Sequence, residues 1–428
     1  MVKLKEHKDL TKDIPVSLAP LPKKAYIHLS QHIGKAAVSC VKAGDFVLRG
    51  QLIAASDAAV SSPVHASISG KVLGIQDCAH PLLGSAKAVV VDCDGSDKGL
   101  GNEGLGFRGQ IQVDKLTAEE IRKIIHEAGI VGLGGATFPS HIKLNPAKPV
   151  DTLIVNGAEC EPYLTSDYRL MLEKTKEIIL GIDLATRCLN VKKVYIAIED
   201  NKPTAINAFG NELRTTSYEL KVLKSFYPQG GEKQLIKNVL NKEVPQGKLP
   251  FDIGVVVHNV ATIYAIYEAV YKNKPLYERV VTVTGSCLKS PKNLLTRIGT
   301  PIRDLIDACG ELREQPFKII TGGPMMGLAQ ASADAPIIKA TNGIILLTEK
   351  ESEILEESTC IRCSACVRDC PVGLMPTIID AASRKEDWEL AAAYGALDCI
   401  ECGICSYVCP TNRFLVQSIK LAKLAHRK

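Results

Sequence analysis

The sequence predicts a multidomain α/β chain: a small all-β module, a parallel α/β domain, a compact α+β module, and a helical C-terminal segment rich in cysteine. Three observations carry this. Short β-type runs separated by turn residues fill positions 26–94. Apolar strand runs alternate with helical periodicity from 115 to 275, the pattern of a mainly parallel sheet with helices on its faces. A duplicated motif, C-x-x-C-x-x-C-x-x-x-C-P, stands at 360–371 and again at 399–410.

Composition bounds the function classes. The chain has 428 residues, 46% hydrophobic and 23% charged, ordinary values for a globular protein with several cores. A net charge of +5, spread along the chain, gives no reason to expect nucleic acid as a partner. The opening MVKLKEHKDL lacks the apolar core of a signal peptide. The greasiest stretch, 253–271, is interrupted by His258, Asn259 and Glu268, so no membrane-spanning helix is expected. Of fifteen cysteines, eight lie in the two motifs and seven are scattered without paired spacing, which fits a reducing compartment.

In chain order, residues 1–25 are Lys-rich and punctuated by proline, and read as an extended arm. Residues 26–95 hold the runs YIHLS, AAVSC, VLRGQLIAA, SISGKVLGI and AVVVDC. Residues 96–114, glycine-rich and charged, read as a linker. Residues 115–275 open with a helix at 116–128, where Thr117 and Glu120 form a capping box. Strands are expected at 152–156, 193–199, 220–226 and 253–259, with helices at 169–189, 231–241 and 261–272. Residues 276–349 return to short strands around one helix, and residues 350–428 read as helical. The tail from 419 carries Lys420, Lys423, His426, Arg427 and Lys428 on helical spacing, read as a solvated terminal helix.

The cysteine motifs bear the strongest chemistry. Three thiolates two residues apart can wrap one face of an iron–sulfur cube. The fourth, held off by an extra residue and a proline, reaches the other cube in two-cluster proteins. One [4Fe–4S] cluster is therefore expected on Cys360, Cys363, Cys366 and Cys409, and a second on Cys399, Cys402, Cys405 and Cys370. Zinc sites favour cysteine pairs across a longer loop.

Upstream, the stretch 129–143 (GIVGLGGATFPSHIK) follows a helix and precedes a strand. Gly132, Gly134 and Gly135 let the backbone approach an anion, and Lys143 can add a charge-assisted contact to a phosphate or ring edge. Asn156, Glu159 and Glu161 lie at the C-terminal end of an expected parallel strand, where open α/β sheets bind ligands.

These segments resemble the NADH-binding flavoprotein subunit of respiratory complex I. Its G-x-G-G-x-G-F-P-x-x-x-K loop is matched except for Thr137, and its N-x-x-E-x-E-P element falls on Asn156, Glu159, Glu161 and Pro162. A further loop corresponds to 227–235, with Gly231 for a glutamate and Glu232 retained. The N-N-V-x-T element falls on 258–262, with His258 for the first asparagine. The resemblance implies FMN held by Gly132, Gly134, Gly135, Lys143, Asn156, Glu159, Glu232, Asn259 and Thr262. It implies NAD(H) stacked on FMN, with Phe138 and Glu161 as contacts. Hydride transfer to FMN then needs no side-chain acid or base.

Residues 26–95 resemble a biotinyl/lipoyl-type barrel-sandwich hybrid, but the connection DAAVSSPVHA lacks the attachment lysine, so no covalent carrier is expected. The 276–349 module resembles the small β-grasp, soluble-ligand-binding domain of the same complex I subunit. The order of modules, with the stretches NGAECEPYLTSDYRLM, TGGPMMG and CIRCSACVRDCPVGLMP, resembles the C subunits of the Rnf electron transport complexes over nearly the whole chain. That family implies a peripheral subunit on the cytoplasmic face of the bacterial inner membrane. There it would pass electrons between two clusters, FMN and NAD(H), with integral membrane and ferredoxin-like subunits coupling the flow to Na⁺ or H⁺ movement. Ferredoxin itself would be an indirect partner. A cobalamin reductase shares the core but generally lacks the N-terminal module, and an electron-carrying adaptor with a degenerate flavin site is the non-enzymatic alternative.

Overall fold

The computed structural model describes residues 2–100 and 112–426. Most of the expected linker, at 101–111, lies outside the described residues, as do Met1 and the last two residues.

The N-terminal module is a sandwich of a four-stranded and a three-stranded antiparallel sheet. Ile27, Val47, Ile53, Ile68, Val72 and Val91 alternate inward to form its core. Its longest feature is a hairpin, Gly70–His80 with Gly84–Cys93, which outruns the strands read from sequence.

The arm is extended but not free. Val16–Leu18 pairs in parallel with Lys292–Arg297 as the edge of a six-stranded sheet in the third module. Val2 exchanges backbone hydrogen bonds with Tyr227 at 3.1 and 2.8 Å. Between them Lys8 is buried, and its ammonium donates to the carbonyls of Glu159, Glu161 and Leu164 at 2.8, 3.0 and 2.5 Å. Below the sandwich, Asp97 bridges Arg49 and Arg297 and so joins the first module to the third.

The α/β domain has four strands, all parallel, in the spatial order Glu219–Leu223, Lys193–Glu199, Thr152–Gly157, Val255–Asn259. Thr117 caps the first helix, Ala118–Glu127, with the reciprocal Glu120 contact. The helix expected at 169–189 is two, Ser166–Glu173 and Thr175–Leu189. Lys174 separates them: its φ of −133° leaves the helical region, and the Thr175 hydroxyl bonds back to the Met171 carbonyl at 2.6 Å. The C-terminal ends of Thr152–Gly157 and Val255–Asn259 open on one edge, where the functional residues gather.

The third module is the six-stranded mixed sheet with the helix Ile302–Ala308. The last module is helical around a small core of Ile379, Ala382, Ala391, Leu415, Ile419 and Ala422. Among the described residues, no helix is long and apolar enough to cross a membrane.

Candidate functional site

The glycine stretch folds as a closed loop. Val131 and Pro139 bridge, the Gly132 N–H donates to the Phe138 carbonyl at 2.9 Å, and the Thr137 N–H returns to the Gly132 carbonyl at 3.1 Å. Gly134, Gly135 and Ala136 form its exposed rim, with Phe138 half-buried. Gly135 has φ +122°, and a Cβ there would meet open space, so backbone conformation selects the glycine. A Cβ on Gly134 would come to 3.2 Å of Asn259 Cβ. The rim is therefore a backbone surface a flat ligand can approach closely.

Most polar residues expected to hold a cofactor shape this cradle through contacts within the protein. Thr262 Oγ1 accepts from the Leu133 N–H at 2.8 Å and fixes the loop. Asn259 caps the helix Val260–Tyr271, accepting from Ala261 N at 2.9 Å, and donates to Asp167 Oδ2 at 2.6 Å. Asn156 ties the strand end to the next loop, donating to the Gly230 carbonyl at 2.9 Å. Glu159, in a left-handed conformation, accepts from Asp167 N at 2.7 Å and Tyr168 N at 3.1 Å at the start of Ser166–Glu173. Lys143 and Glu232 pair at 2.6 Å, partly exposed, at the mouth.

Glu161 has protein partners of its own in this structure. Expected as an acceptor for nicotinamide ribose, its carboxylate accepts from Met325 N at 3.1 Å and Met326 N at 2.9 Å, with the Tyr227 hydroxyl at 3.4 Å. It latches the TGGPMMG loop of the third module to the α/β domain. Burial pushes its carboxyl up, and the two amides oppose that shift. A Cβ on Gly323 would sit 2.1 Å from Glu161 Oε2, so only glycine lets the loop pass this close.

Residues missed in the sequence complete the site. Arg279, buried, reaches from the third module to the Leu133 carbonyl at 3.2 Å. Asp167 is buried behind the loop. Its carboxylate accepts from the Asn259 amide at 2.6 Å and feels the charges of Glu159, Arg279 and Lys8; burial, followed by the Glu159 charge, pushes its carboxyl up to about 7. Folded protein thus holds this proton more tightly than unfolded chain, so the stability it contributes is full below pH ~4 and lost as pH rises through ~7. Asp167→Asn should remove about 1 kcal/mol of stability loss between pH 6 and 8.5. Urea unfolding at both pH values checks this; equal pH dependence in the two proteins would contradict it.

The cysteines fall into two groups. One cavity is lined by Cys370, Cys399, Cys402 and Cys405, the other by Cys360, Cys363, Cys366 and Cys409. Zinc at ~2.3 Å from each sulfur would need them about 3.8 Å apart. Among the described residues no His, Cys, Asp or Glu group converges tightly enough for a single ion. Quartets that ring a cavity rather than a point suit a cube of iron and sulfide. The two halves repeat each other's backbone: Arg362 and Ser364 have φ 56° and 61°, Glu401 and Gly403 58° and 79°. Amide-to-sulfur bonds repeat too, from Arg362 N to Cys360 at 3.4 Å and from Glu401 N to Cys399 at 3.3 Å. Burial pushes the Cys402 thiol up to about 11 and Cys405 to about 12, so without a bound cation both stay protonated at neutral pH.

The second quartet adjoins the flavin-type domain. The Tyr227 hydroxyl donates to the Cys402 carbonyl at 2.9 Å, and Gln234 Nε2 to the Pro371 carbonyl at 3.2 Å. Tyr227, Cys402 and Ile404 share one buried cluster with Val2, Cys160 and Met325 packed against it.

Comparison with known proteins gives the same order of parts. Residues 2–96 match the RnfC barrel sandwich hybrid domain, 125–268 the Nuo51 FMN-binding domain, 280–329 the SLBB domain and 352–410 the 4Fe-4S dicluster domain. The C subunit of the proton-translocating ferredoxin:NAD(+) oxidoreductase complex of Clostridium ljungdahlii is 46% identical over 425 residues, spanning 99% of this chain and 92% of that protein. The chain belongs to the RnfC family. The C subunit of the Na(+)-translocating complex of Acetobacterium woodii is 42% identical over 422 residues, spanning 97% of this chain and 94% of that protein. An NAD+-reducing [NiFe]-hydrogenase crystal structure is 18% identical, with a TM-score of 0.51 over 73% of this chain and 66% of that one, a likeness of fold. Like other RnfC proteins, this chain thus combines an FMN-binding domain with a two-cluster domain. The N-terminal sandwich speaks against the cobalamin reductase alternative.

Proposed function

We propose that this chain carries electrons between two [4Fe–4S] clusters, FMN and NAD(H) as the peripheral subunit of a membrane ferredoxin:NAD oxidoreductase. It would sit on the cytoplasmic face, with membrane subunits coupling the flow to Na⁺ or H⁺ movement. The observation that carries this reading is the Tyr227–Cys402 contact, which puts a cysteine quartet against the domain bearing the glycine cradle.

FMN, when bound, exchanges a hydride with nicotinamide and single electrons with the clusters. The residues fit it: an exposed glycine rim, Lys143 at the mouth, and His258 beside Lys143 with a buried Nε2 that lacks a protein partner. Lys143, freed from Glu232, would take the phosphate or ring edge. Phe138 would stack against nicotinamide at the rim. Thr262, Asn259, Asn156 and Glu159 hold the loop and strand ends in place.

The test is anaerobic: add FMN to the cluster-loaded chain and titrate with NADH, following visible absorbance and EPR. Flavin bleaching followed by reduced-cluster signals is expected. A chain that never retains FMN and is not reduced by NADH would point to the adaptor instead.

A further inference from the structure

The duplicated cysteine loops share backbone but not surroundings. In the second loop, 402–405 are buried: Cys402 under Tyr227, and Gly403 so close to Met325 that a Cβ would lie 2.8 Å from its carbonyl. Ile400 packs against the same junction. In the first loop residues 361–364 are all exposed, Ile361 by 65%, whereas their counterparts 400–403 are half-buried or buried. Cys363, the counterpart of Cys402, is exposed as well. The charge also differs. Glu401 is neutralised by Lys423 and Lys420, whereas its counterpart Arg362 is exposed on the open loop.

We propose that the Cys360/Cys363/Cys366/Cys409 cluster is the terminal centre of the wire, and that the rim of Ile361 and Arg362 docks a second iron–sulfur protein with an acidic face. The inference rests on the preceding reading. The partner covers the first loop as Tyr227 and Met325 cover the second. Ile361 supplies the apolar contact and Arg362 meets a carboxylate. Each encounter moves one electron: the partner's reduced cluster is oxidised as the terminal cluster is reduced. Two encounters, through the inner cluster, supply the two electrons that with one proton convert NAD⁺ to NADH.

The test uses the full cluster-loaded chain, Ile361→Glu and Arg362→Glu variants of it, and a bacterial two-[4Fe–4S] ferredoxin as probe. Both substitutions lie on the surface, and iron and sulfide content checks that clusters remain. Two quantities are read: the Kd for oxidised ferredoxin, and the rate at which reduced ferredoxin or reduced methyl viologen feeds the clusters in stopped flow. For each variant the expected results are a Kd raised about tenfold or more and a ferredoxin rate reduced to match, with the viologen rate unchanged. Wild-type chain that takes no electrons from ferredoxin, or variants slowed equally with both donors or with neither, would overturn the proposal. Neither readout involves FMN or NADH, so a failed flavin reading leaves a separate signature.

Discussion

Gly323→Ala should break the electron path between flavin and clusters while leaving NADH-driven flavin bleaching in place. The new methyl would lie 2.1 Å from Glu161 Oε2 and 2.6 Å from Glu161 Cβ. Neither side can yield cheaply. The glutamate holds two amides of the same loop, and its backbone carbonyl is pinned by Lys8. Displacing the carboxylate strands a buried charge, at a cost of about 3–5 kcal/mol. The damage then spreads, because Met325 is also the neighbour of Gly403. Cluster reduction by NADH is expected to slow about tenfold or more, since small displacements at a reacting junction are expensive. Stopped-flow absorbance with NADH would resolve the two phases. An unchanged second phase would show that the latch does not position the clusters.

Lys8→Met should destabilise the protein by about 3–5 kcal/mol, a large loss for one residue of an N-terminal arm. Methionine keeps the apolar stem but donates nothing to the carbonyls of Glu159, Glu161 and Leu164. Those carbonyls belong to the segment that carries both the cradle glutamate and the latch glutamate. Burial lowers the Lys8 pKa, opposed chiefly by Glu159, so part of the cost is returned when the charge is removed. Urea unfolding measures the loss, and limited proteolysis should show the arm released before the cores open. A midpoint shift worth less than about 0.5 kcal/mol would mean that the three contacts add nothing net.

What could be read from the sequence follows from the range of each interaction. The cysteine motifs are local: two-residue spacers, repeated, already dictate the turn at Arg362 and at Glu401. The strands Thr152–Gly157 and Lys193–Glu199 show as apolar runs because both faces of a parallel sheet are buried. The capping box at Thr117 needs only four residues. The cradle's inner contacts are long-range. Thr262 acts on Leu133 across 129 residues, and Lys8 on Glu161 across 153. No periodicity signals such a pairing. Glu161 shows the consequence: an acid at a strand end suggests a ligand contact, and only the fold reveals the amides that claim it. The break at Lys174 was hidden for another reason, since the apolar spacing continues across it.

The arm's pairing also sets a timetable. Val16–Leu18 leaves the ribosome long before its partner strand at 292–297. At ~5–20 residues per second, the roughly 280 residues between them take roughly 14–55 s to make. Throughout that interval the strand has no edge to join, although the carbonyls that Lys8 takes are made once residue 164 has emerged. The sandwich can close early, but the strand Val16–Leu18 waits for the third module before it docks. Nascent chains stalled before residue 292 should therefore leave Val16–Leu18 protease-sensitive beside a protected sandwich.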